Sequence, residues 1–254
     1  MPVENPAGRG RTVAIMDLGS NSLRMMIVRI GENRVTSVLN QVKQMVRLGE
    51  GAFGEHRLQP EPMRRTIAAL RGFAGMCRSY GVDEIVALAT AAVRDAANGQ
   101  EFMDEVRRET GVDFTVISGR EEARLICRGV SVALEPFAGK RMFIDIGGGS
   151  TELSVAEGSN ILELESLKLG AVRLAGLFPG SGPVSSQRYA EMQKYVRDHA
   201  VLPLQRMEAQ APGELVGSSG TIQSLAEMAV AMARDSGKKT GDTAEILSYS
   251  SLRR

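Results

Sequence analysis

Two acids and two hydroxyls bracket three glycines in Asp145-Ile146-Gly147-Gly148-Gly149-Ser150-Thr151-Glu152. Glycine has no β-carbon to keep an anion away from the backbone N–H groups. Carboxylates suit Mg²⁺, which takes oxygen ligands and keeps waters while bridging phosphates. The apolar residues Met142, Phe143, Ile144 and Ile146 make a run long enough for a buried strand. Asp145 stands near its end, where a buried carboxylate needs a partner. From Leu153 the chain reads as extended again. The pattern therefore predicts a strand, an acidic end, a glycine turn and a second strand, a hairpin suited to holding phosphates and a metal ion.

The same pattern occurs earlier, in Val13 to Met26. Adding 128 to each number maps Asp17 onto Asp145, Gly19 onto Gly147 and Ser22 onto Ser150 without a gap. Each copy is followed by a further strand-like segment, Val35–Leu39 in the first and Ile161–Leu167 in the second. A repeat of this kind predicts two related halves facing a shared cleft. The alternative is two unrelated tight hairpins.

A third glycine turn, Gly217-Ser218-Ser219-Gly220-Thr221, leads into a helical pattern. Such a turn offers free N–H groups and the positive end of the helix dipole to an anion, although serine and threonine also favour ordinary N-caps. Arg94 follows a buried strand and can grip phosphate oxygens with paired donors; a surface salt bridge is its other reading. Lys43 and Arg173 are further basic candidates. Glu121 and Glu122 sit in the first turn of a predicted helix, a position acids favour for the dipole alone. Asp17, Asp145 and Glu152 could hold Mg²⁺, and one or two of them could instead cap turns. No serine, cysteine or histidine has a nucleophile's sequence context, so direct attack by water is the simpler chemistry.

The elements that must position these groups follow from periodicity and turn signals. Strands are predicted over Thr12–Asp17, Leu23–Ile30 and Val35–Val42, with a turn at Gly31-Glu32-Asn33 and a loop over Lys43–Leu58. Pro60 to Tyr80 reads as a helix with an apolar stripe. Glu84–Ala89 is a buried strand, with Thr90 to Asp95 at its carboxyl end, where α/β sheets place ligand groups. Asn98 is expected to cap a helix through Glu109 and Gly111 to stop it. A strand over Val112–Ile117 precedes a helix from Ser118 to about Leu134. In the second half the hairpin strands are followed by a loop, Leu177–Val184. A helix then runs to about Met207, with Tyr189, Met192, Val196 and Leu202 on one face and a bend at Pro203. Glu214–Val216 is a short strand, the Gly217 turn leads into a helix to Ala233, and Lys238–Arg254 is polar. Residues 1–11 read as a loose tail.

The totals narrow the function. With 31 basic and 30 acidic residues, the chain has no electrostatic case for nucleic acid or for an anionic membrane. Hydrophobic residues make up 43% but aromatics only 4%, so the cores must rest on aliphatic residues and the 13 methionines. Cys77 and Cys127 read as buried thiols in a reducing compartment. His56 and His199 lack ligand spacing, which argues against a zinc site or a Ser-His-Asp triad. No 18-residue apolar run or apolar signal core is present, so a cytoplasmic protein is expected.

Together these segments resemble the exopolyphosphatase / guanosine-pentaphosphate phosphohydrolase family, within the actin–sugar kinase–heat-shock ATPase superfamily. The matching stretches are DLGSNSLRMM (Asp17–Met26), ATAAVRDAANG (Ala89–Gly99), ISGREEARLICRGV (Ile117–Val130), FIDIGGGSTEL (Phe143–Leu153), SLKLGAVRL (Ser166–Leu174) and GSSGTIQSLA (Gly217–Ala226), in family order. The resemblance implies an α/β fold of two ribonuclease-H-like domains around a cleft, over 12–135 and 140–254. It implies cleavage of terminal phosphate from inorganic polyphosphate or guanosine pentaphosphate with Mg²⁺ or another divalent ion. Glu122 falls on the family's catalytic base, with Glu121 as the alternative. Asp145 with Gly147, Gly148, Gly149, Ser150 and Thr151 would bind metal and phosphate. So would Asp17 with Gly19, Ser20, Asn21 and Ser22, together with Arg94 and Gly217, Ser218, Ser219, Gly220 and Thr221. Short family members usually continue past the Gly217 helix. Ending at Arg254, the second half is expected to be shortened, with a homodimer partner as one support and weakened activity as one consequence. The rivals are a small-molecule kinase of the same superfamily and a polyphosphate- or nucleotide-binding module with little turnover.

Overall fold

Alternation of buried and open residues makes the first hairpin. In strand β1 (Arg11–Leu18), Ala14, Met16 and Leu18 point into the core, while Ile15 and Asp17 face the other way. Strand β2 (Ser22–Ile30) does the same with Leu23, Met25 and Ile27. The computed structural model describes residues 10–31, 36–180 and 182–235. The expectations for residues 1–9, for the turn at 31–33 beyond Gly31, for the start of the third strand at Val35 and for 238–254 lie outside the described residues.

Strand β3 (Thr36–Met45) pairs with β2, running three residues beyond the predicted Val42 into the segment read as a loop. A short helix, α1 (Ala52–Glu55), interrupts the rest of that segment. Helix α2 (Pro60–Ser79) lays Ile67, Leu70, Phe73 and Cys77 on the core. Strand β4 (Glu84–Ala89) runs parallel to β1. The one-turn helix α3 (Ala91–Arg94) and helix α4 (Gly99–Thr110) follow. Asn98 precedes α4 but does not cap it. Its side-chain oxygen accepts from the Leu58 N–H at 2.8 Å and its amide donates to the Leu58 carbonyl at 3.1 Å, a buried tie to the preceding loop. The predicted strand at 112–117 shrinks to β5 (Thr115–Val116).

Helix α5 (Gly119–Ala133) starts at a Ser118 cap, as expected. It is followed by β6 (Lys140–Ile146), β7 (Thr151–Glu157), β8 (Asn160–Leu167), α6 (Ala171–Leu177), α7 (Ser186–Glu208), β9 (Glu214–Ser218) and α8 (Ser219–Asp235). Although α5 comes before the second hairpin in the chain, it packs on β7 and β8. Its Cys127 lies against Phe143 and Ala156. Helix α6 was not foreseen. Helix α7 passes through Pro203, and its predicted apolar face is half open: Tyr189 and Leu202 are exposed, whereas Val196 packs on the core as expected, joined by Tyr195, Ala200 and Met207.

The two sheets have the orders β3-β2-β1-β4-β5 and β8-β7-β6-β9, antiparallel in the hairpins and parallel where β4 and β9 join. The first sheet has the ribonuclease-H-like order, and the second repeats its first four strands among the described residues. The duplication is physical as well as textual. Both glycine turns close with the same bond, Gly19 N–H to Ser22 C=O and Gly147 N–H to Ser150 C=O, each 3.0 Å. Both second strands carry a register shift at the equivalent step, Ile27/Val28 and Val155/Ala156.

Candidate active site

The duplicated strands bring their acids to one place. Asp17 and Asp145, at the ends of β1 and β6, line a single cleft of about 740 Å³ between the halves. Gly19–Ser22, Gly147–Ser150, Ser218–Thr221 and Glu122 line the same cleft. The two glycine turns meet there closely. A β-carbon on Gly149 would fall on the Ser20 hydroxyl of the first turn and stand 2.7 Å from the Phe53 ring and 2.8 Å from Ala91 Cβ, so only glycine allows this approach.

The turns spend their carbonyls outward. Ser20 C=O accepts from Gly49, Asn21 C=O from Val46 and Arg47, and Gly148 C=O from Val172 and Arg173. Among the described residues, no hydrogen bond uses the N–H groups of Ser20, Asn21, Gly148 or Gly149. The buried Ser20 hydroxyl is also without a partner. Unspent donors at a cleft wall are what an anion requires. The third turn adds Ser219, whose φ of 87° is unusual for a residue with a side chain. Its hydroxyl holds the conformation by donating to the Ile146 carbonyl at 2.7 Å.

Glu122 is placed by the cap of α5. The Ser118 hydroxyl accepts from the Glu121 N–H and its carbonyl from the Glu122 N–H. Glu122 then projects into the cleft, where Arg94 Nη1 donates to its Oε2 at 2.8 Å and also to the Ile117 carbonyl at 3.0 Å. Glu121, one residue earlier, turns away and binds Arg124 with two hydrogen bonds of 2.6 and 2.5 Å. That pairing lowers its pKa.

Loss of bulk water pushes all four clustered carboxyls upward. Asp17 is open to the cleft, but the walls strip much of its hydration; Arg24 pulls its pKa back and Asp145 raises it again. For Asp145, burial is again the leading cause, opposed by the Ser218 hydroxyl, which donates at 2.6 Å, and by Arg24. Glu122 is raised by burial, pulled down by Arg94 and raised by Asp17 and Asp145. Glu152 is pushed up to about 8 by burial and by the charge of Glu122.

The remaining candidates take other places. Glu152 is buried off the cleft and accepts from the Ser166 hydroxyl at 2.8 Å. Thr151 donates to the Leu169 carbonyl. Gly217 packs against Ile222. Arg94 lies behind Glu122, neither a surface salt bridge nor part of the cleft lining. Lys43 lines the cleft. Arg173 is a buried tie between the halves: it donates to the Gly149 carbonyl, pairs with Asp95 and covers the Phe53 ring. Arg24 also lines the cleft, and the motif reading overlooked it. The repeat carried a signal, since Arg24 maps onto Glu152, one of two charge reversals between the hairpins, the other being Arg29 onto Glu157.

A family model described as the Ppx/GppA phosphatase family matches residues 26–251. The chain belongs to the Ppx/GppA phosphatase family. It is 36% identical over 229 residues to the guanosine-5'-triphosphate,3'-diphosphate pyrophosphatase of Aeromonas salmonicida. That match covers 87% of this chain and 44% of the relative, so the chain spans less than half the length of that curated protein. Among solved structures, an exopolyphosphatase from Cytophaga hutchinsonii superposes with a TM-score of 0.82 at 30% identity, over 89% of this chain and 72% of that one. The Aquifex aeolicus Ppx/GppA member gives 0.68 at 27%, over 96% and 77%. Among the described residues, no helix is long and apolar enough to cross a membrane.

Proposed function

We propose that this chain hydrolyses the terminal phosphoanhydride bond of inorganic polyphosphate or guanosine pentaphosphate, with Glu122 as the base. One observation carries the reading most directly: two glycine turns with unspent N–H groups face a buried glutamate across a cleft. The names of the relatives, a pyrophosphatase and an exopolyphosphatase, support it.

The terminal phosphate sits between the Ser20–Asn21 and Gly148–Gly149 N–H groups. Lys43 and Arg24 balance charge further along the chain of phosphates. Glu122 Oε2 is held by Arg94, which leaves Oε1 to take a proton from the attacking water. Attack in line breaks the anhydride bond, the electron pair leaves with the shortened polyanion, and the turns' N–H groups stabilise charge on the transferred phosphoryl. The donor set suits a divalent cation. Among the described residues no three His, Cys, Asp or Glu side chains converge on one point, and Mg²⁺ commonly uses only one or two carboxylates with waters and phosphate oxygens. Asp17 and Asp145 would hold it, and it would offset phosphate charge. The two buried free thiols suit a reducing cytoplasm.

The test is phosphate release from polyphosphate and from guanosine pentaphosphate, with and without Mg²⁺ and with no acceptor present. Release without an acceptor excludes a kinase. Tight binding of both substrates with no release over hours would replace the reading by that of a binding module.

A further inference from the structure

Behind the cleft lies a second cavity of about 310 Å³, between the start of α5 and the segment joining β8 to α6. Ser150 lines both cavities. The Arg94–Glu122 pair completes the partition, with Glu122 on the cleft side and Arg94 on the other. The second cavity is basic. Arg94, Arg120, Lys168 and Arg173 line it against Asp95 and Glu165. Even with the outer partners Glu122 and Arg206 included, five cations stand against three carboxylates.

Two of those cations are largely unspent. Arg120 makes no ion pair among the described residues and donates one hydrogen bond, to the Leu164 carbonyl at 3.2 Å. Lys168 is mostly exposed and reaches Asp95 only at 3.9 Å. The first turn of α5 adds a third element. Gly119 and Arg120 line the cavity, and the Ser118 cap takes only the Glu121 and Glu122 N–H groups. The positive end of a 15-residue helix thus opens on this space.

We propose that this cavity is an orthophosphate site that receives the phosphate released in the cleft. The inference rests on the hydrolytic reading above. In an in-line displacement the new P–O bond forms on the side of the attacking water. The freed phosphate is therefore born beside Glu122, and the shortened polyanion lies on the far side. Glu122 has by then taken the water's proton and no longer attracts a counter-charge, and the excess positive charge behind Arg94 draws the new dianion. Passage requires the Arg94–Glu122 pair to part, and it clears the cleft without requiring the polyanion to leave.

Calorimetric titration of the full chain with inorganic phosphate alone, in the presence of a chelator, measures this site without turnover. Phosphate is expected to bind, and Lys168→Glu to weaken it about tenfold, the scale of one charge-assisted contact. Tripolyphosphate binding should change less than phosphate binding in the same variant. Arg120→Gln should weaken phosphate in the same direction, and the melting curve of each variant confirms folding. Failure of the native chain to bind phosphate, unchanged phosphate affinity in both variants, or equal weakening of both ligands overturns the proposal. In turnover, orthophosphate should inhibit without competing with polyphosphate, and strict competition overturns it too. Should no hydrolysis occur at all, the titration still decides whether the anion site exists, so the two readings fail separately.

Discussion

Arg94 reaches across the junction to Glu122: it ends α3 in the first half and meets a helix that lies on the second sheet. Both side chains are mostly withdrawn from solvent. The pair therefore fixes one carboxylate oxygen of Glu122 and leaves the other to the cleft. Changing Glu122 to Gln keeps the shape and removes the base. Phosphate release should fall by about a hundredfold or more, with polyphosphate binding nearly unchanged. Native turnover in that variant would remove Glu122 from the chemistry.

Arg94 also sets the pH at which Glu122 can act. Burial raises the Glu122 pKa, and Arg94 is the main group holding it down. A base works only when ionised, so activity must rise with pH through the Glu122 pKa. Arg94→Met removes the opposing charge, raises that pKa further and moves the acid limb of the pH–rate profile to higher pH. Arg94→Lys keeps a charge and should move it less. An acid limb that stays put in Arg94→Met would show that another group controls it.

Much of this site is local in sequence, which is why it could be read there. A strand, an acid, glycines and a hydroxyl within a dozen residues dictate a hairpin turn whatever surrounds them, and two copies 128 residues apart imply a shared cleft. What depends on tertiary docking was not readable. Two acids in the first turn of α5 look alike in sequence, and only the orientation of the helix on β7 and β8 sends Glu122 to the cleft and Glu121 to Arg124. The stripe on α7 held only in part for a related reason: periodicity marks a face, but the sheet beneath reaches Val196 with Tyr195 and Ala200 and not Tyr189 or Leu202. Asn98 carries a helix-cap signal, and its distant partner Leu58 outcompetes that role.

Glu152 should make stability depend on pH. In the folded chain its carboxyl stays neutral up to about 8, while in the unfolded chain it ionises near its ordinary value of 4.5. Between those two values the folded state keeps a proton that the unfolded state has released. Stability contributed by this group is thus fully present below about pH 4.5 and is lost as pH rises to about 8. Glu152→Gln mimics the neutral form, keeps an acceptor for Ser166 and should flatten that slope, with a gain on the order of a few kcal/mol at the alkaline end. Denaturant melts across this range, in chelator, make the comparison. Parallel slopes for the two proteins would mean that Glu152 ionises normally in the fold.

Arg173 should matter for holding the turn and not for chemistry. Its side chain is 6% exposed, and it spends its donors on the Gly149 carbonyl and on Asp95, with its guanidinium 4.1 Å above the Phe53 ring. One residue thus joins the second glycine turn to the end of α3 and to α1 in the first half. Removing one member of a buried pair strands the other, which costs about 3 to 5 kcal/mol. Arg173→Met keeps the aliphatic contact with Phe53 and leaves Asp95 with only the distant Lys168, so it should destabilise by that order. Adding Asp95→Asn removes the stranded charge and should recover part of the loss, giving a double variant more stable than the sum of the single changes. If the two changes simply add, the Arg173–Asp95 contact is not what ties the halves together.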